Sequence, residues 1–289
     1  MSDLDSFAAF ILTHGRPGNV STYRALRRHG YTGRIVLVTD DLDDTIDEYR
    51  RIYGDQVYVF DKRAAAAKVD ICDNQPGLDT VTYARAACFD IAKELGLSHF
   101  VQLDDDYVGF RTRFNGRMEW VYGDVKSLDL VFSAFVEFMV ATPARTIAMA
   151  QPGDFIGGAA SRYGSTVTLT RKAMNSFFCD TDRPVGFLGR MNDDVNTYVL
   201  RAVTGALFFT HNFAAIDPTV TQQTPGGLTE MYLKYGTYVK SFYTVMLHPS
   251  AVSIRSIASY QSGKGHPRLH HSITWRQTTP MILREDVRK

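Results

Sequence analysis

Three consecutive acids, Asp104, Asp105 and Asp106, stand directly behind an apolar run in "HFVQLDDDYVGF". Side chains on an extended segment point alternately to opposite faces, so Asp104 and Asp106 share one face and Asp105 takes the other. Two carboxylates about 6 to 7 Å apart along the backbone repel each other unless a hard divalent cation draws oxygens from both. A solvated acidic turn is the plain alternative, and the buried-type strand that delivers the acids weighs against it. A second group, Asn192, Asp193 and Asp194 in "GRMNDDVNTYV", stands where a helix is expected to begin. Such residues cap free N–H groups there, but a cap needs one and this stretch has three.

These groups need elements to hold them. Residues 1–110 alternate short apolar β-type runs with helical patterns, the signature of βαβ units and a parallel sheet. Strands are expected at 7–13, 34–41, 56–62 and 99–103, with a short polar helix from about Ser21 to Gly30. Within 78–96, Val81, Ala84, Cys88, Ile91 and Leu95 recur at helical spacing, with Asp79 suited to the amino end and Gly96 to the exit. In open α/β sheets ligands gather beyond the carboxyl ends of the strands, which is where the three acids lie. The loop "THGRPGN" follows the first strand and precedes a helix, so its N–H groups and Arg16 are suited to a base or phosphates. It is neither a dinucleotide fingerprint nor a P-loop. Asp40, ending the second strand, either holds a ribose or forms the turn in "TDDLDD".

Beyond residue 110 the alternation weakens. Strands are expected at 117–123, 146–151 and 165–171, and helices at 124–140, at 190–205 with a cap at Asn192 or Asp193 and Gly205 at the exit, and at 229–247 around Gly236. The Gly- and Pro-bearing loops at 152–164 and 217–227 are too short to be linkers, and no repeat is found. A composition 45% hydrophobic and 12% aromatic is ample for a core, and 32 basic against 31 acidic residues favours neither a nucleic-acid coat nor an acidic tail. Cys72, Cys88 and Cys179 are odd in number and outside any C-x-x-C spacing, so they read as packed, reduced thiols of a cytoplasmic protein. No apolar run approaches the roughly 18 residues that span a bilayer, so neither a signal peptide nor a membrane anchor is expected.

Strand, "LDDD", an upstream βαβ half and a downstream acidic helix start resemble the GT-A fold of nucleotide-sugar-dependent glycosyltransferases over most of the chain. The resemblance implies a single Rossmann-like α/β domain, 1–289, with a mostly parallel central sheet flanked by helices. Residues 1–110 would bind the nucleotide sugar, and 111–289 would face the acceptor. Mn2+ or Mg2+ is implied against the diphosphate of a UDP-sugar such as UDP-glucose, held chiefly by Asp106, with Asp104 sharing it or touching the ribose. A cation there neutralises charge that develops on the leaving group. Thr13, His14, Arg16, Asp40 and Asp105 are grouped with the donor. Arg85 resembles a residue aimed at the diphosphate, its alternative being an exposed arginine on a polar helix face. His248, in "VMLHPSAV" with Pro249 behind it, is the implied third ligand, with His266, His270 and His271 as competitors. At the helix start the resemblance makes Asp194 the base for the attacking hydroxyl, with Asp193 beside it; capping is the alternative.

For the acceptor, Arg255, Lys264, Arg268, Arg276, Arg284, Arg288 and Lys289 outnumber Glu285 and Asp286 in the C-terminal segment, which can neutralise phosphates or lie solvated. "YVKSFYTVMLHPSAVSI" followed by "HHSITWRQTTPMIL" resembles a branch of the same fold, found in phages and the kinetoplastid base J pathway, that glycosylates hydroxymethylated pyrimidines in DNA. Such a base, hydroxymethylcytosine for instance, must leave the stack, and Tyr163 and Trp275 are candidate platforms beside the core alternative. Transfer to a glycan, protein or small molecule is the rival reading, and a non-catalytic nucleotide-sugar-binding protein the second. The latter should have broken the acidic pair, which here is intact.

Overall fold

The computed structural model describes residues 4–115, 117, 119–155, 157–161, 169–219, 236–258 and 267–280. The first half is built from β1 (Phe7–Leu12), α1 (Ser21–Arg28), β2 (Arg34–Asp40), α2 (Ile46–Tyr53), β3 (Val57–Phe60), α3 (Lys62–Ala66), α4 (Thr82–Glu94) and β4 (His99–Asp104). The second half comprises β5 (Tyr107–Phe114), β6 (Trp120–Asp124), α5 (Leu128–Ala141), β7 (Ala144–Ala150), β8 (Ser176–Asp180), α6 (Asp193–Ala202), β9 (Leu207–Pro218), α7 (Thr237–Leu247), β10 (Val252–Ala258), β11 (Pro267–Ile273) and α8 (Trp275–Thr278).

Nine strands form one sheet in the order β3-β2-β1-β4-β8-β7-β9-β5-β6, and β10 and β11 form a separate hairpin. β3, β2, β1 and β4 are mutually parallel, β8 runs against both β4 and β7, and β7 is parallel to β9. β5 opposes β9 and β6 opposes β5, so only β5 and β8 run against the common direction. This is the mostly parallel α/β sheet expected. Leu12 pairs with Asp104 and Asp40 with Phe60, which brings the carboxyl ends of β1, β4, β2 and β3 to one edge.

All six residues of β1 are buried, as a central strand covered on both faces requires. Its even-numbered side chains, Ala8, Phe10 and Leu12, join Cys88, Phe89 and Ile91 of α4 and Val195, Tyr198 and Val199 of α6. Its odd-numbered ones, Phe7, Ala9 and Ile11, join Leu26 of α1, Tyr49 of α2 and Phe132 and Phe135 of α5. The three cysteines are free thiols, and Cys88 and Cys179 are buried. Among the described residues no helix is long and apolar enough to cross a membrane.

Three local readings change. Asp79 does not cap α4; Thr80 Oγ1 accepts the Thr82 N–H at 3.2 Å instead. Trp275 meets Tyr198 edge-on at 5.3 Å and packs on the core beneath α6, the place of a core aromatic and not of a base platform. β5, β8, β9, β10 and β11 were not anticipated. β9 is covered on both faces along much of its length, which erases the alternation that marks a half-buried strand. Of the strand expected at 165–171, residues 169–171 are irregular and 165–168 lie outside the described residues, as do 229–235, Tyr163, His266, Lys264 and the basic residues after 280.

Phe178, 1% exposed, is in ring contact with Phe7, Phe132 and Phe135 at centroid distances of 6.1, 5.2 and 4.8 Å. Phe178→Ala is therefore expected to lower unfolding stability by about 3–5 kcal/mol, measured by urea denaturation.

Candidate active site

The acidic triplet is a tight turn between β4 and β5, and its three carboxylates go to three different places. Asp105 is buried beneath the loop after β1. Thr13 Oγ1 donates to its Oδ2 at 2.7 Å, and Arg16 Nε pairs with the same oxygen at 2.9 Å. Tyr49 completes the set: its hydroxyl lies 2.7 Å from Thr13 Oγ1 and accepts the Arg16 N–H at 3.1 Å. Thr13 and Asp105, both grouped with the donor by the sequence, are thus bonded to each other. Burial pushes the Asp105 carboxyl up to about 6, against Arg16 and Thr13, which pull it down, with Asp106 and Asp104 adding to the rise.

The second strand's end is tied to the same loop. Asp40 pairs with His14 Nδ1 at 2.9 Å and Lys62 Nζ at 3.1 Å, and accepts the Leu42 N–H at 3.2 Å. Burial would raise this carboxyl, but His14 and Lys62 hold it below the usual range. Asp40 thus forms the turn through Leu42, and both of its oxygens have partners within the protein. Asp43, which sequence reading passed over, accepts the Gly15 N–H and the Thr39 and Thr45 hydroxyls. Half of the His14 side chain and 27% of that of Arg16 stay exposed at this edge.

Asp104 and Asp106 are presented by backbone clamps. Thr22 of α1 donates to the Asp104 carbonyl at 2.6 Å, and its Oγ1 accepts the Tyr107 N–H at 2.9 Å. Thr219, just past β9, sends its N–H to the Asp106 carbonyl and its Oγ1 to Asp106 Oδ2, both at 3.1 Å.

Arg85 of α4 joins the turn to the start of α6. It is 4% exposed and stacks over Phe177 at 4.7 Å, with Asp104 Oδ1 at 3.4 Å and Asp193 Oδ2 at 3.0 Å. It is neither an exposed helix arginine nor an open diphosphate contact. One sequence signal was available: Arg85 falls four residues after Val81 and three before Cys88, on the stripe that α4 buries. No side-chain cap hydrogen bond is made at the start of α6; Asn192 Nδ2 instead donates to the Lys240 carbonyl at 2.7 Å. Asp193 is buried against Arg85, whereas Asp194 stays partly exposed. Burial drives Asp193 up, Arg85 opposes it, and Asp194 and Asp104 push it further up. Asp104 is raised likewise, by burial first, opposed by Arg85 and reinforced by Asp106.

Asp104 and Asp193 thus pair with one buried guanidinium, Asp194 adds to the negative field around it, and Asp106 adds to that around Asp104. That excess of negative charge fits a divalent cation, and a third of the Asp104 side chain is open to receive one. Among the described residues no three His, Cys, Asp or Glu side chains converge as a complete metal cage. A pair of carboxylates completed by phosphate oxygens and water is a usual way to hold Mg2+. His248 is not brought to that pair: it ends α7, and its Nδ1 lies 3.0 Å from Ser250 Oγ. His270 and His271 lie on β11, where His271 meets Lys172. Lys172 was not foreseen, and that contact across 99 positions leaves no local pattern to find.

The Asp105 shift has a definite sign. Unfolded, the carboxyl releases its proton near 3.8; folded, it holds it to about 6. The folded state therefore binds more protons in that window, and stability falls as pH rises through it, by ~3 kcal/mol. Asp105→Asn removes this dependence, so wild type should gain stability relative to the variant when both are moved from pH 7 to pH 4.5, measured by thermal unfolding.

No curated protein matches the chain. In fold comparison, glucosyl-3-phosphoglycerate synthase from Mycobacterium tuberculosis, crystallised with Mg2+ and UDP, is 9% identical at a TM-score of 0.45, over 92% of this chain and 87% of that one. A mannosyltransferase from Pyrobaculum calidifontis, crystallised with GDP-Man and Mn2+, is 11% identical at 0.46, over 75% and 58%. Likeness at that level carries no argument about chemistry. Residues 7–227, from β1 to beyond β9, match the sequence model of the TET-associated glycosyltransferases. Spanning most of the chain and the whole of the acidic site, that match shows that the protein belongs to the TET-associated glycosyltransferase family.

Proposed function

We propose that the protein transfers a sugar from a nucleotide-sugar donor, a UDP-sugar, to the hydroxyl of a 5-hydroxymethylpyrimidine in DNA, with Mn2+ or Mg2+ bound by Asp104 and Asp106. The observation that carries this reading is the joining of two acidic sites through buried Arg85 at the carboxyl edge of the sheet. When bound, the cation supplies charge neutralisation for the departing nucleoside diphosphate. His14, Arg16 and the N–H groups of the loop after β1 are left to contact the donor. The modified-base acceptor is supported by the TET association in the family's name.

Asp194 takes the role of base because it is the acid at the α6 start with an accessible side chain; Asp193 is committed to Arg85. Its carboxylate accepts the proton of the acceptor hydroxyl as that oxygen bonds to the sugar's anomeric carbon. The bond from that carbon to the diphosphate breaks, and its electron pair leaves with the diphosphate. Arg85 holds Asp193 and Asp104 in register, so the proton acceptor and the cation-binding acid keep a fixed separation.

Incubation with Mn2+, a panel of UDP- and GDP-sugars, and either hydroxymethylated or plain DNA tests the acceptor: label should enter the hydroxymethylated DNA alone. Donor consumption without DNA labelling would overturn the acceptor assignment. Asp106→Ala is expected to abolish both transfer and Mn2+-dependent donor binding. Asp194→Asn should leave donor binding intact and slow transfer by about 10²–10⁴-fold, read from single-turnover rates.

A further inference from the structure

Arg113 of β5 is 5% exposed, and among the described residues its buried Nε and Nη1 meet no acceptor. Rings hold the guanidinium instead: it lies over Tyr122 of β6 at 4.3 Å and over Phe155, just past β7, at 4.9 Å. The acids around it are committed elsewhere. Asp124 of β6 and Asp217 of β9 both turn to Arg111, two positions earlier on β5. Asp154, next to Phe155, pairs with Arg171, and Glu119 accepts from Asn115 at 2.7 Å. Arg85 shows the contrast, since it is as deeply buried but has Asp104 and Asp193 against it. An arginine cannot shed its proton to escape burial, and ring faces offset only part of what its lost hydration costs. Arg113 is thus a fixed positive charge that lacks an anion.

We propose that Arg113 takes a phosphodiester of the acceptor DNA at a distance from the nucleotide being modified. The inference rests on the DNA-acceptor reading above. Position sets the reach: β5 leaves the acidic turn at Tyr107, and Arg113 lies seven residues beyond Asp106, roughly 20 Å at about 3.3 Å per residue. That is too far for the donor diphosphate at Asp104 and Asp106. It matches about six nucleotides of duplex, which rises about 3.4 Å per nucleotide. β6 is the outermost strand of the sheet and its Tyr122 is 72% exposed, so the ring that steadies the guanidinium stands on an open rim. A phosphate oxygen met there supplies the missing negative charge through a charge-assisted hydrogen bond. Such a contact carries no sequence information; it fixes the register of the duplex on the protein.

The test uses the full chain and fluorescent hairpin duplexes with one central 5-hydroxymethylcytosine, reaching either about three or about ten base pairs to each side, short and long of the expected contact. Wild type should bind the long form at least about 10-fold more tightly, the scale of one charge-assisted hydrogen bond. In Arg113→Met the long form should lose about 10-fold in affinity and its log Kd against log salt should flatten by about 0.9, the signature of one phosphate contact; binding of the short form should not change, and Arg113→Lys should recover the slope. Without DNA, Arg113→Met should melt at or above wild type, because an unanswered buried charge has been removed. Arg113→Met that keeps the wild-type slope and affinity for the long form overturns the site alone. A methionine variant that melts well below wild type shows a charge already answered within the chain and overturns it as well. Wild type that binds long and short forms alike overturns it without any variant. Wild type that binds neither overturns the DNA-acceptor reading and the site with it.

Discussion

A single buried cation, Arg85, holds the site together. Its guanidinium reaches Asp104 at the end of β4 and Asp193 at the start of α6, and rests on Phe177 of β8. A buried arginine is tolerable only when carboxylates answer it, and the paired carboxylates are tolerable only because it is there. Breaking such a set by removing one member typically costs more than the whole set contributes. The arrangement accordingly fixes the distance between the end of β4 and the start of α6.

The other acids divide into structural and available ones by what already occupies their oxygens. Asp105, Asp40 and Asp43 face inward and hold the loops at the sheet edge through threonine hydroxyls, backbone N–H groups and His14. Asp106 and Asp194 are left partly open. Arg190 carries the division to the far side of α6, pairing with Asp73 at 3.0 Å and bonding the carbonyls of Gln75 and Gly77. This ties residues 73–77 to the approach to α6. At Gly189, with φ of +89°, an added Cβ would come within 2.3 Å of Asn196 Nδ2, so that approach admits only glycine without displacement.

The parallel half of the sheet was readable because its signals are local: apolar runs of strand length, an α4 stripe at helical spacing, and glycines at the exits of α1 and α4 whose φ is positive in the fold. The acid triplet stood out locally as a run of carboxylates behind a strand, but it folds as a turn, so the alternation expected of an extended segment does not describe it. What could not be read depends on strands brought together from afar. β8 enters between β4 and β7 against their direction, and only its arrival puts Phe177 under Arg85. That Thr13, Asp40 and Asp105 already bond one another's loops could not be read, because an unpaired acid and an acid satisfied by its neighbours look alike in one dimension. The place of His248, at the end of α7 beside Ser250, could not be read because a turn behind a histidine specifies a bend and no destination.

Thr219 holds Asp106 twice, once through the backbone and once through the carboxylate. A free aspartate samples several rotamers and loses that freedom when it captures an ion; here one oxygen is already tethered, and among the described residues the other has no hydrogen-bond partner. Much of the ordering has therefore been done during folding, and the remaining lone pairs meet an arriving ion with their direction already set. Under the proposed reading, such a tether makes the acid a rigid, one-sided ligand, suited to an octahedral ion that tolerates little angular error.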